Sequence, residues 1–318
     1  MIVVTGGAGF VGSNLVHGLA RRGASAPLVV DDLTVGGKVA NLAGVEIHGY
    51  LDRDDFLERF ERGAPELGAV TAVLHQGAIT DTTDDDGRRM IACNTTYSTR
   101  LLEACLVRRV PFIYASSAAV YGRSPTCREL PADEAPVNVY AFSKLLVDNR
   151  VRRELSRASS QVVGLRYFNV YGPREAHKGA MASLVLQLDD QLAAGGPARI
   201  FGATETCAAG EQQRDYVHVE DVVEVVLWFL DHPDRSGIFN CGTGRARTAN
   251  DLAAAVVAAR GGGEVVHVPF PPTLRGRYQE RTEADLTRLR AAGCDHTFRE
   301  LEVGVAEYVA WRRASGEG

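Results

Sequence analysis

The sequence lacks the features that mark membrane, secreted and nucleic-acid-binding proteins. No apolar run approaches the roughly 18 residues that a membrane-spanning helix needs. The 35 basic residues are outnumbered by 40 acidic ones, so the net charge of −5 offers no basic surplus for nucleic acid. The opening MIVVTGGAGF lacks the cationic start of a signal peptide. We therefore expect a cytoplasmic protein that binds neither a membrane nor nucleic acid.

Cysteine is equally scarce and widely spaced. The six cysteines include no C-x-x-C pair, which indicates reduced thiols and neither a disulfide frame nor a zinc site. His75 and His177 lack the Asp, Glu or His spacing of a metal site, so we predict no metal. At 318 residues the chain is long enough for about two domains and a substantial core.

Lysine is the rarer of the two basic residues. Lys38, Lys144 and Lys178 are the three lysines among 35 basic residues, and the other 32 are arginines. A lysine amine can lose its proton at accessible pH, whereas a guanidinium cannot. The three positions are either chance survivors in an arginine-rich chain or sites that need a deprotonatable amine. Composition alone does not separate these two explanations.

Short apolar runs alternate with helical patterns in the first half of the chain, which predicts βαβ crossovers. The apolar runs occupy 2–4, 27–30, 72–75, 111–117 and 161–170, and the helical patterns lie near 13–22, 88–108 and 140–155. We expect an α/β fold, with a Rossmann-like doubly wound parallel sheet and a smaller C-terminal α/β substrate subdomain. The expected domains are 1–169 with about 215–243, and about 170–214 with 244–318, ending in a loose tail near 312–318.

A glycine-rich turn follows the first predicted strand directly. Its glycines at 6, 9 and 12 permit a tight turn and a close approach of the backbone to a pyrophosphate. Asp31 follows nineteen residues after Gly12, at the end of the second predicted strand. Because strand, glycines, helix and acid occur in this order, the segment predicts a dinucleotide site and not merely a structural turn.

The residues near Asp31 leave the choice of dinucleotide open. Asp31 is placed to accept hydrogen bonds from the adenosine ribose, which favours NAD. Lys38 and Arg53 lie just beyond and would suit the 2′-phosphate of NADP. Either cation is alternatively a solvated surface charge, above all Arg53, which stands between two aspartates.

A candidate acid/base pair follows the fourth predicted strand, at 111–117. That strand ends in Ser116 and Ser117, and Tyr140 and Lys144 come next with a spacing of four, which places them on one face of a helix. A cation beside a phenol lowers the phenol pKa from about 10, so we expect an accessible tyrosinate. A serine at the strand end can hydrogen-bond a substrate hydroxyl.

These motifs resemble the extended short-chain dehydrogenase/reductase family, which includes nucleotide-sugar epimerases, dehydratases and reductases. The matching segments are GGAGFVG, SSAAVYG, YAFSK, RYFNVYGPRE, RDYVHVEDVV and IFNCGTG. The resemblance implies hydride exchange with NAD(P), with Tyr140 as acid/base, Lys144 as its partner and Ser117 as a substrate contact. Ser117 is preferred because it precedes Tyr121 by four residues, and Asn94 matches an asparagine near the cofactor.

The segment GPREAHKGAMAS, at 172–183, is similar to one branch of that family, the epimerases that act at C6 of ADP-linked heptoses. SGIFN, GTGRA, GRYQ (276–279), ADLTRLRAAG and VGVAEYVAW match the same branch. The resemblance implies a transient 6-keto sugar and hydride return to its other face, in the synthesis of the lipopolysaccharide inner core. It also implies bound NADP, with NAD possible, and a homo-oligomer, often a pentamer. The Thr-Asp-Glu of sugar dehydratases is here Ser-Ser-Ala, which argues against dehydration.

Inversion at C6 requires proton handling on two faces, so a group besides Tyr140 is needed. Lys178 is the expected second group, because a partly desolvated lysine can deprotonate. The resemblance implies cofactor contacts at Gly6, Gly9, Phe10, Val11, Gly12, Asp31, Asp32, Lys38, Arg53, His75, Gln76, Gly77, Ala78, Asn94, Lys144, Val170 and Lys178. It implies substrate contacts at Ser117, Asn169, Ala180, Gln187, Phe201, Gly202, Ala203, Thr204, Arg214 and Tyr278.

Several positions leave alternatives open. Arg214 offers two-point hydrogen bonding to a diphosphate, but it is alternatively the ion-pair partner of Asp215. Phe201 or Tyr278 can pack on adenine, or Tyr278 is part of the core. The branch differs from this chain at Ala180, Gln187, Asp32 and the longer loop 205–213, so the nucleotide is less determined than the reaction.

Two other functions also stay open. A UDP-sugar 4-epimerase would not need Lys178. A non-catalytic dinucleotide sensor on the same fold would need neither Tyr140 nor Lys144.

Overall fold

The computed structural model describes residues 1–274 and 278–316. Its strands are β1 Ile2–Thr5, β2 Leu28–Asp31, β3 Gly49–Asp52, β4 Ala72–His75, β5 Phe112–Ser117, β6 Val162–Tyr167, β7 Asn169–Tyr171, β8 Ala198–Phe201, β9 Gln213–His218, β10 Gly237–Cys241, β11 Ala246–Thr248 and β12 Val265–Val268. Its α-helices are α1 Phe10–Arg21, α2 Arg53–Glu61, α3 Gly87–Met90, α4 Tyr97–Arg108, α5 Val139–Glu154, α6 Leu184–Ala193, α7 Val219–Asp231, α8 Ala249–Arg260, α9 Thr287–Ala291 and α10 Leu301–Ser315.

Seven of these strands form one parallel sheet in the order β3-β2-β1-β4-β5-β6-β10. The chain turns one way from β1 to β2 and the other way to β4, so the strand order reverses between β1 and β4. In doubly wound sheets ligands bind outside the carboxyl ends of the strands at this reversal. The predicted Rossmann-like fold class is confirmed, and the glycine turn lies at the expected edge.

The core explains why the strands of this sheet are apolar on both faces. Val3 and Val4 are adjacent in β1, and because side chains alternate they enter different clusters. Val3 packs in the cluster that holds Phe56 and Leu101, and Val4 in the one that holds Leu15 and Val226. Helices therefore cover both faces of the sheet, and the polar ends of the strands are left at its edges.

A smaller set of elements follows β6. A three-stranded sheet in the order β11-β9-β7 and the parallel pair β12-β8 pack with α6, α8 and α10 around a third core. Between them α7 packs in the cluster of α1, and β10 pairs with β6. The chain thus leaves the large sheet, returns to it and leaves again. The residue bounds of the two domains stay a prediction.

Three parts of the chain differ from the sequence-based expectation or add to it. The expected loose tail is wrong for 312–315, because α10 continues to Ser315 and buries Arg312, which is 3% exposed and bonds Asp190 at 2.5 Å. The strand β3 was not predicted because it is short, and the helix α2 was not predicted because it is highly charged. A π-helical turn over Ile91–Thr96 interrupts the expected long helix near 88–108.

Within the described ranges, no helix is long and apolar enough to cross a membrane. All six cysteines are free thiols. Residues 1–274 and 278–316 contain no group of three or more Asp, Glu, His or Cys side chains arranged to hold a metal ion.

Candidate active site

The glycine turn between β1 and α1 is shaped for an anionic ligand. Gly6 has a φ of +63°, and a Cβ there would lie 2.5 Å from the backbone nitrogen of Gly77, so no larger residue fits. A Cβ on Gly12 would lie 2.0 Å from the Gly6 carbonyl oxygen. Gly9 caps α1 without a side chain, and the first turn of the helix carries no acidic residue. The first N–H groups of α1 therefore point out of the turn towards a phosphate.

Two acids and two cations meet at the end of β2. The buried Asp31 carboxylate accepts from the Ala8 nitrogen at 3.0 Å, which ties it to the glycine turn. Lys38 Nζ lies 3.0 Å from both Asp31 and Asp32, and an Arg53 nitrogen lies 3.7 Å from Asp32. Burial alone would lower the pKa of Lys38, but its hydrogen bonds to Asp32 and Asp31 raise the pKa. Lys38 is thus a fixed positive charge at the expected ribose position.

The imidazole of His75, at the end of β4, is enclosed by protein. It is 2% exposed, and its nitrogens lie 2.5 Å from Thr5 Oγ1 and 2.7 Å from Ser98 Oγ. Burial, aided by the charge of Lys144, lowers the pKa of His75 to about 3, so the ring is neutral. Any contact of His75 with a cofactor is therefore through its backbone.

The loop after β4 closes the glycine turn from the other side. Gln76 accepts from the Tyr167 hydroxyl at 3.0 Å, while its Nε2 is buried with no partner among the described residues. Asn94 sits in the π-helical turn and exchanges two hydrogen bonds with the backbone of Ile79, at 2.8 and 2.9 Å. Its Nδ2 also lies 3.0 Å from Ser143 Oγ, next to Lys144. Asn94 thus holds the loop that includes Gly77 and Ala78.

Tyr140 and Lys144 lie in the first turns of α5, which begins at the side-chain cap of Asn138. Tyr140 is hydrogen-bonded to Ser117, and Lys144 Nζ donates to the Ala115 carbonyl at 3.0 Å. Lys144 is 4% exposed, and burial lowers its pKa to about 8 although Asp148 opposes the change. Ser116 Oγ, in contrast, is buried with no partner within the described ranges.

The expectation of a lowered phenol pKa at Tyr140 is wrong in this structure. Burial raises the pKa of Tyr140, and the hydrogen bond with Ser117 offsets only part of that change. The Lys144 ammonium bonds a backbone carbonyl instead, so it does not lower the phenol pKa. At neutral pH Tyr140 is therefore a proton donor.

Lys178 lies on a loop that is braced from within. We name residues 172–183 the lysine loop. The buried Glu175 carboxylate accepts from Gly172 N at 3.2 Å and from Ser183 N and Oγ at 2.6 and 2.7 Å. Lys178 Nζ stands 5.3 Å from the centre of the Phe10 ring, at the start of α1. Burial lowers the pKa of Lys178 and so favours the neutral amine, although the charge of Glu175 opposes this change.

The expected nucleotide contacts form an aromatic and cationic cluster in the smaller part. Phe201, Phe270 and Tyr278 meet edge to face with centroids 5.2 to 6.2 Å apart. The Arg214 guanidinium lies 4.5 Å from the centre of the Tyr278 ring and donates to the Gln213 carbonyl at 2.8 Å. Tyr278 is half-buried, so its ring is partly open to solvent.

The alternative that Arg214 is the ion-pair partner of Asp215 is wrong. The buried Asp215 carboxylate accepts from the backbone nitrogens of Thr243, Gly244 and Ala284 at 2.7 to 3.0 Å. Neighbours on a strand point to opposite faces, which separates the two side chains. Arg214 is therefore free to meet an anion.

The other expected substrate residues are spread along the same side. Thr204 donates to Glu280 at 2.6 Å, and Gln187 Nε2 donates to the Ala182 carbonyl at 2.8 Å. Asn169 and Ala180 are exposed, whereas Val170, Gly202 and Ala203 are partly exposed or exposed backbone positions near β7 and β8. Of the expected GRYQ match, Gly276 and Arg277 lie outside the described residues.

Sequence reasoning missed two buried asparagines, Asn14 and Asn41. Both touch the lysine loop, and both also touch the glycine turn or its helix. An asparagine does not belong to any distinctive spacing pattern. The available signal is nearness in sequence to the motifs: Asn14 is four residues after Phe10, and Asn41 is three residues after Lys38.

Taken together, a dinucleotide-binding sheet and a Ser-Tyr-Lys constellation define a dinucleotide-dependent enzyme of the short-chain dehydrogenase/reductase type. The buried, unpartnered polar atoms of Gln76 and Ser116 at the carboxyl edge of the sheet fit a site made for a ligand. The residues present therefore fit a nicotinamide dinucleotide.

Comparison with known proteins identifies the family. The model of the NAD dependent epimerase/dehydratase family matches residues 2–242, and the chain belongs to this family. It is 55% identical to the ADP-L-glycero-D-manno-heptose-6-epimerase of Alkalilimnicola ehrlichii over 309 residues, 97% of this chain and 96% of that protein. The resemblance stated from the motifs is confirmed.

Solved structures agree with this assignment. The ADP-L-glycero-D-manno-heptose-6-epimerase of Helicobacter pylori is 31% identical, with a TM-score of 0.85 over 98% of this chain and 96% of that one. The UDP-glucose 4-epimerase of Thermus thermophilus, solved with NAD, is 31% identical, with a TM-score of 0.80 over 99% of each chain. The chain is thus an enzyme of a family that uses a nicotinamide dinucleotide.

Proposed function

We propose that this enzyme converts ADP-D-glycero-β-D-manno-heptose to ADP-L-glycero-β-D-manno-heptose by inversion at C6, for the lipopolysaccharide inner core. The observation that carries the proposal is the presence of two proton-handling groups on separate segments, Tyr140 on α5 and Lys178 on the lysine loop. The similarity to the Alkalilimnicola ehrlichii enzyme over 97% of the chain supports this substrate. A reaction that works on one face of a carbon would not call for Lys178.

The glycine turn, Lys38 and Arg53 would hold the dinucleotide, which would supply the hydride acceptor and donor for C6 and so allow a transient ketone there. The chain handles the proton of the C6 oxygen. Lys178, whose pKa is lowered by burial, takes this proton from one epimer. Tyr140, whose pKa is raised by burial, delivers a proton to the oxygen of the other. Lys178 then releases its proton to solvent and Tyr140 regains one, which restores the starting state. For the reverse reaction the two groups exchange roles.

Ser117 and Arg214 orient the substrate at its two ends. Ser117 lies beside the Tyr140 hydroxyl, where its own hydroxyl can hold the C6 oxygen in line for proton transfer. The Arg214 guanidinium lies over the Tyr278 ring in the smaller set of elements, and its parallel N–H groups suit the diphosphate. Binding energy from the nucleotide is then used to position C6.

We propose NADP as the resident cofactor, with NAD as the alternative. Lys38 and Arg53 both stand within 4 Å of the Asp32 carboxylate, so two cations border the ribose position. Mass spectrometry of the cofactor released from purified enzyme tests this directly. The variant Lys38→Ala/Arg53→Ala is expected to lower NADP affinity at least about tenfold more than NAD affinity. Equal losses would contradict the assignment.

The experiment for the reaction uses purified enzyme without added cofactor. ADP-D-glycero-β-D-manno-heptose should reach an equilibrium mixture of two epimers, followed by proton NMR. Tyr140→Phe and Lys178→Met should each lower kcat by about a hundredfold or more, whereas Lys38→Arg, which keeps the charge, should not. Turnover of UDP-glucose with Lys178→Met fully active would instead indicate a 4-epimerase.

We also propose a homo-oligomer, a pentamer by family resemblance, located in the cytoplasm. The molar mass of the purified protein by light scattering tests the assembly. A mass of 34.3 kDa, that of one chain, would refute it.

A further inference from the structure

The lysine loop is fastened to the start of α1 by a buried asparagine. Asn14 Nδ2 donates to the Pro173 carbonyl at 2.8 Å and to the Phe10 carbonyl at 2.9 Å. Its Oδ1 accepts from an Arg174 guanidinium nitrogen at 2.8 Å. The side chain of Asn14 is fully buried. One amide therefore joins the first residues of the lysine loop to the helix whose N-terminus faces the phosphate position.

A second buried asparagine fastens the same loop near its centre. Asn41 lies at the end of a 3-10 turn over Gly36–Leu42 that also carries Lys38. Its Nδ2 donates to the Ala8 carbonyl of the glycine turn at 2.9 Å and to His177 Nδ1 at 3.0 Å. For His177 to accept at Nδ1, its ring must be neutral. Burial and the charge of Lys38 lower the pKa of His177, in agreement with this role.

Lys178 is held between these two attachments. It follows His177 directly, and its backbone nitrogen donates to the Glu175 carbonyl at 2.9 Å. Because Glu175 braces the loop from within, moving either attachment moves the segment as a unit. With the loop held in this way, the Lys178 amine lies over the ring of Phe10, the first residue of α1, with Nζ 5.3 Å from the ring centre.

We infer that Asn14 and Asn41 are positioning residues for Lys178: they register the lysine loop on the glycine turn, so that one turn places both the cofactor phosphates and the second acid/base. This inference rests on the proposed function. If the lysine loop and the glycine turn only had to pack against each other, apolar contacts would be enough. Buried amides that bond backbone carbonyls would then be an unnecessary risk, because an unpaired buried amide is costly.

The inference predicts an asymmetric defect. Tyr140 is placed by α5 and its cap at Asn138, which neither asparagine touches. Loosening the lysine loop should therefore impair proton transfer at Lys178 and spare Tyr140. Each epimer presents its C6 hydroxyl to one of the two groups, so one epimer should be oxidised slowly and the other at nearly the normal rate.

The test uses the purified holoenzyme and the variant Asn41→Ala, with His17→Ala as matched control. His17 Nε2 donates to the Asn41 carbonyl at 3.0 Å and so ties the same 3-10 turn to α1. It meets the lysine loop through the charge of Arg174, since burial and that charge lower the pKa of His17. One readout is hydrogen–deuterium exchange of residues 172–183. The other is single-turnover reduction of the resident cofactor by each epimer, followed by the absorbance of reduced nicotinamide.

For Asn41→Ala we expect exchange in the lysine loop to rise roughly fivefold, because the lost hydrogen bond to His177 contributes about 1 kcal/mol. One epimer should react about a hundredfold more slowly, as a displacement near 1 Å implies, and the other within about threefold of the normal rate. His17→Ala should leave both rates within about threefold. If Asn41→Ala does not fold, Asn14→Ala removes the other attachment and should show the same asymmetry.

Equal slowing of both epimers, or no slowing together with unchanged exchange, would overturn the inference. If neither epimer reduces the cofactor of the unsubstituted enzyme, the proposed function is refuted instead. In that case exchange still decides the structural part, because unchanged protection of 172–183 in Asn41→Ala would show that the asparagine does not hold the loop.

Discussion

The buried lysine of α5 should destabilise the protein at neutral pH, and replacing it should therefore stabilise the fold while abolishing turnover. Burial lowers the pKa of Lys144 to about 8 from 10.5. Between these values the unfolded chain binds one proton more than the folded one. The free energy of unfolding therefore rises with pH across this window, by about 3 kcal/mol at 1.36 kcal/mol for each change of one in pKa.

The variant Lys144→Met has a side chain of similar length and removes this pH dependence of the free energy of unfolding. It also loses the hydrogen bond from Nζ to the Ala115 carbonyl, which costs about 1 kcal/mol. The variant should thus be more stable by about 2 kcal/mol at pH 7 and less stable by about 1 kcal/mol near pH 10.5. With a urea slope near 3 kcal/mol/M, the midpoint shifts by roughly +0.7 M and −0.3 M.

Urea unfolding at several pH values measures both numbers, on protein stripped of cofactor because a ligand that binds the folded state raises its stability. Lys38→Met is the control of opposite sign. Although burial opposes it, the hydrogen bonds to Asp32 and Asp31 raise the pKa of Lys38. Its contribution is then present below the unfolded pKa and lost at higher pH, so this variant should be less stable at pH 7. A destabilised Lys144→Met with no pH dependence would refute the reasoning.

Further variants test other parts of the site. Gly6→Ala should lose cofactor from the purified protein and unfold at a lower temperature, because its Cβ would lie 2.5 Å from Gly77 N; Gly36→Ala, where nothing lies within 4 Å, should do neither, and equal behaviour would contradict the cradle. Arg214→Met should raise KM for the nucleotide sugar at least about tenfold with little change in kcat, measured by steady-state kinetics; a fall in kcat alone would place Arg214 elsewhere. Turnover should decline above a pKa near 8 as Lys144 loses its charge, and a pH–rate profile flat to pH 10 would contradict that role.

The local motifs were readable because each one depends on neighbours in the chain. Glycines at 6, 9 and 12 between a strand and a helix describe a phosphate turn wherever the fold places them. The spacing of four between Tyr140 and Lys144 puts both on one helix face by helix geometry alone. The parallel sheet followed from apolar strands that alternate with helices, and the structure confirmed this fold class and supplied the strand order.

Electrostatic outcomes were not readable in this way, because they depend on burial and on partners distant in sequence. The pKa of Tyr140 is raised and not lowered, since burial outweighs a cation that bonds Ala115 instead. Likewise, Asp215 turned out to serve the backbone near 243, 244 and 284, far along the chain. A sequence does not state how much water a group loses on folding.

By itself, then, the sequence determined the class of sheet, and it predicted the phosphate turn and the acid/base side chains, because these are properties of short segments. The tertiary structure decided where the lysine loop rests. Asn14 and Asn41 reach it across separations of 159 and 136 residues, and their amides acquire a role only when folding removes water and brings the loop onto the glycine turn.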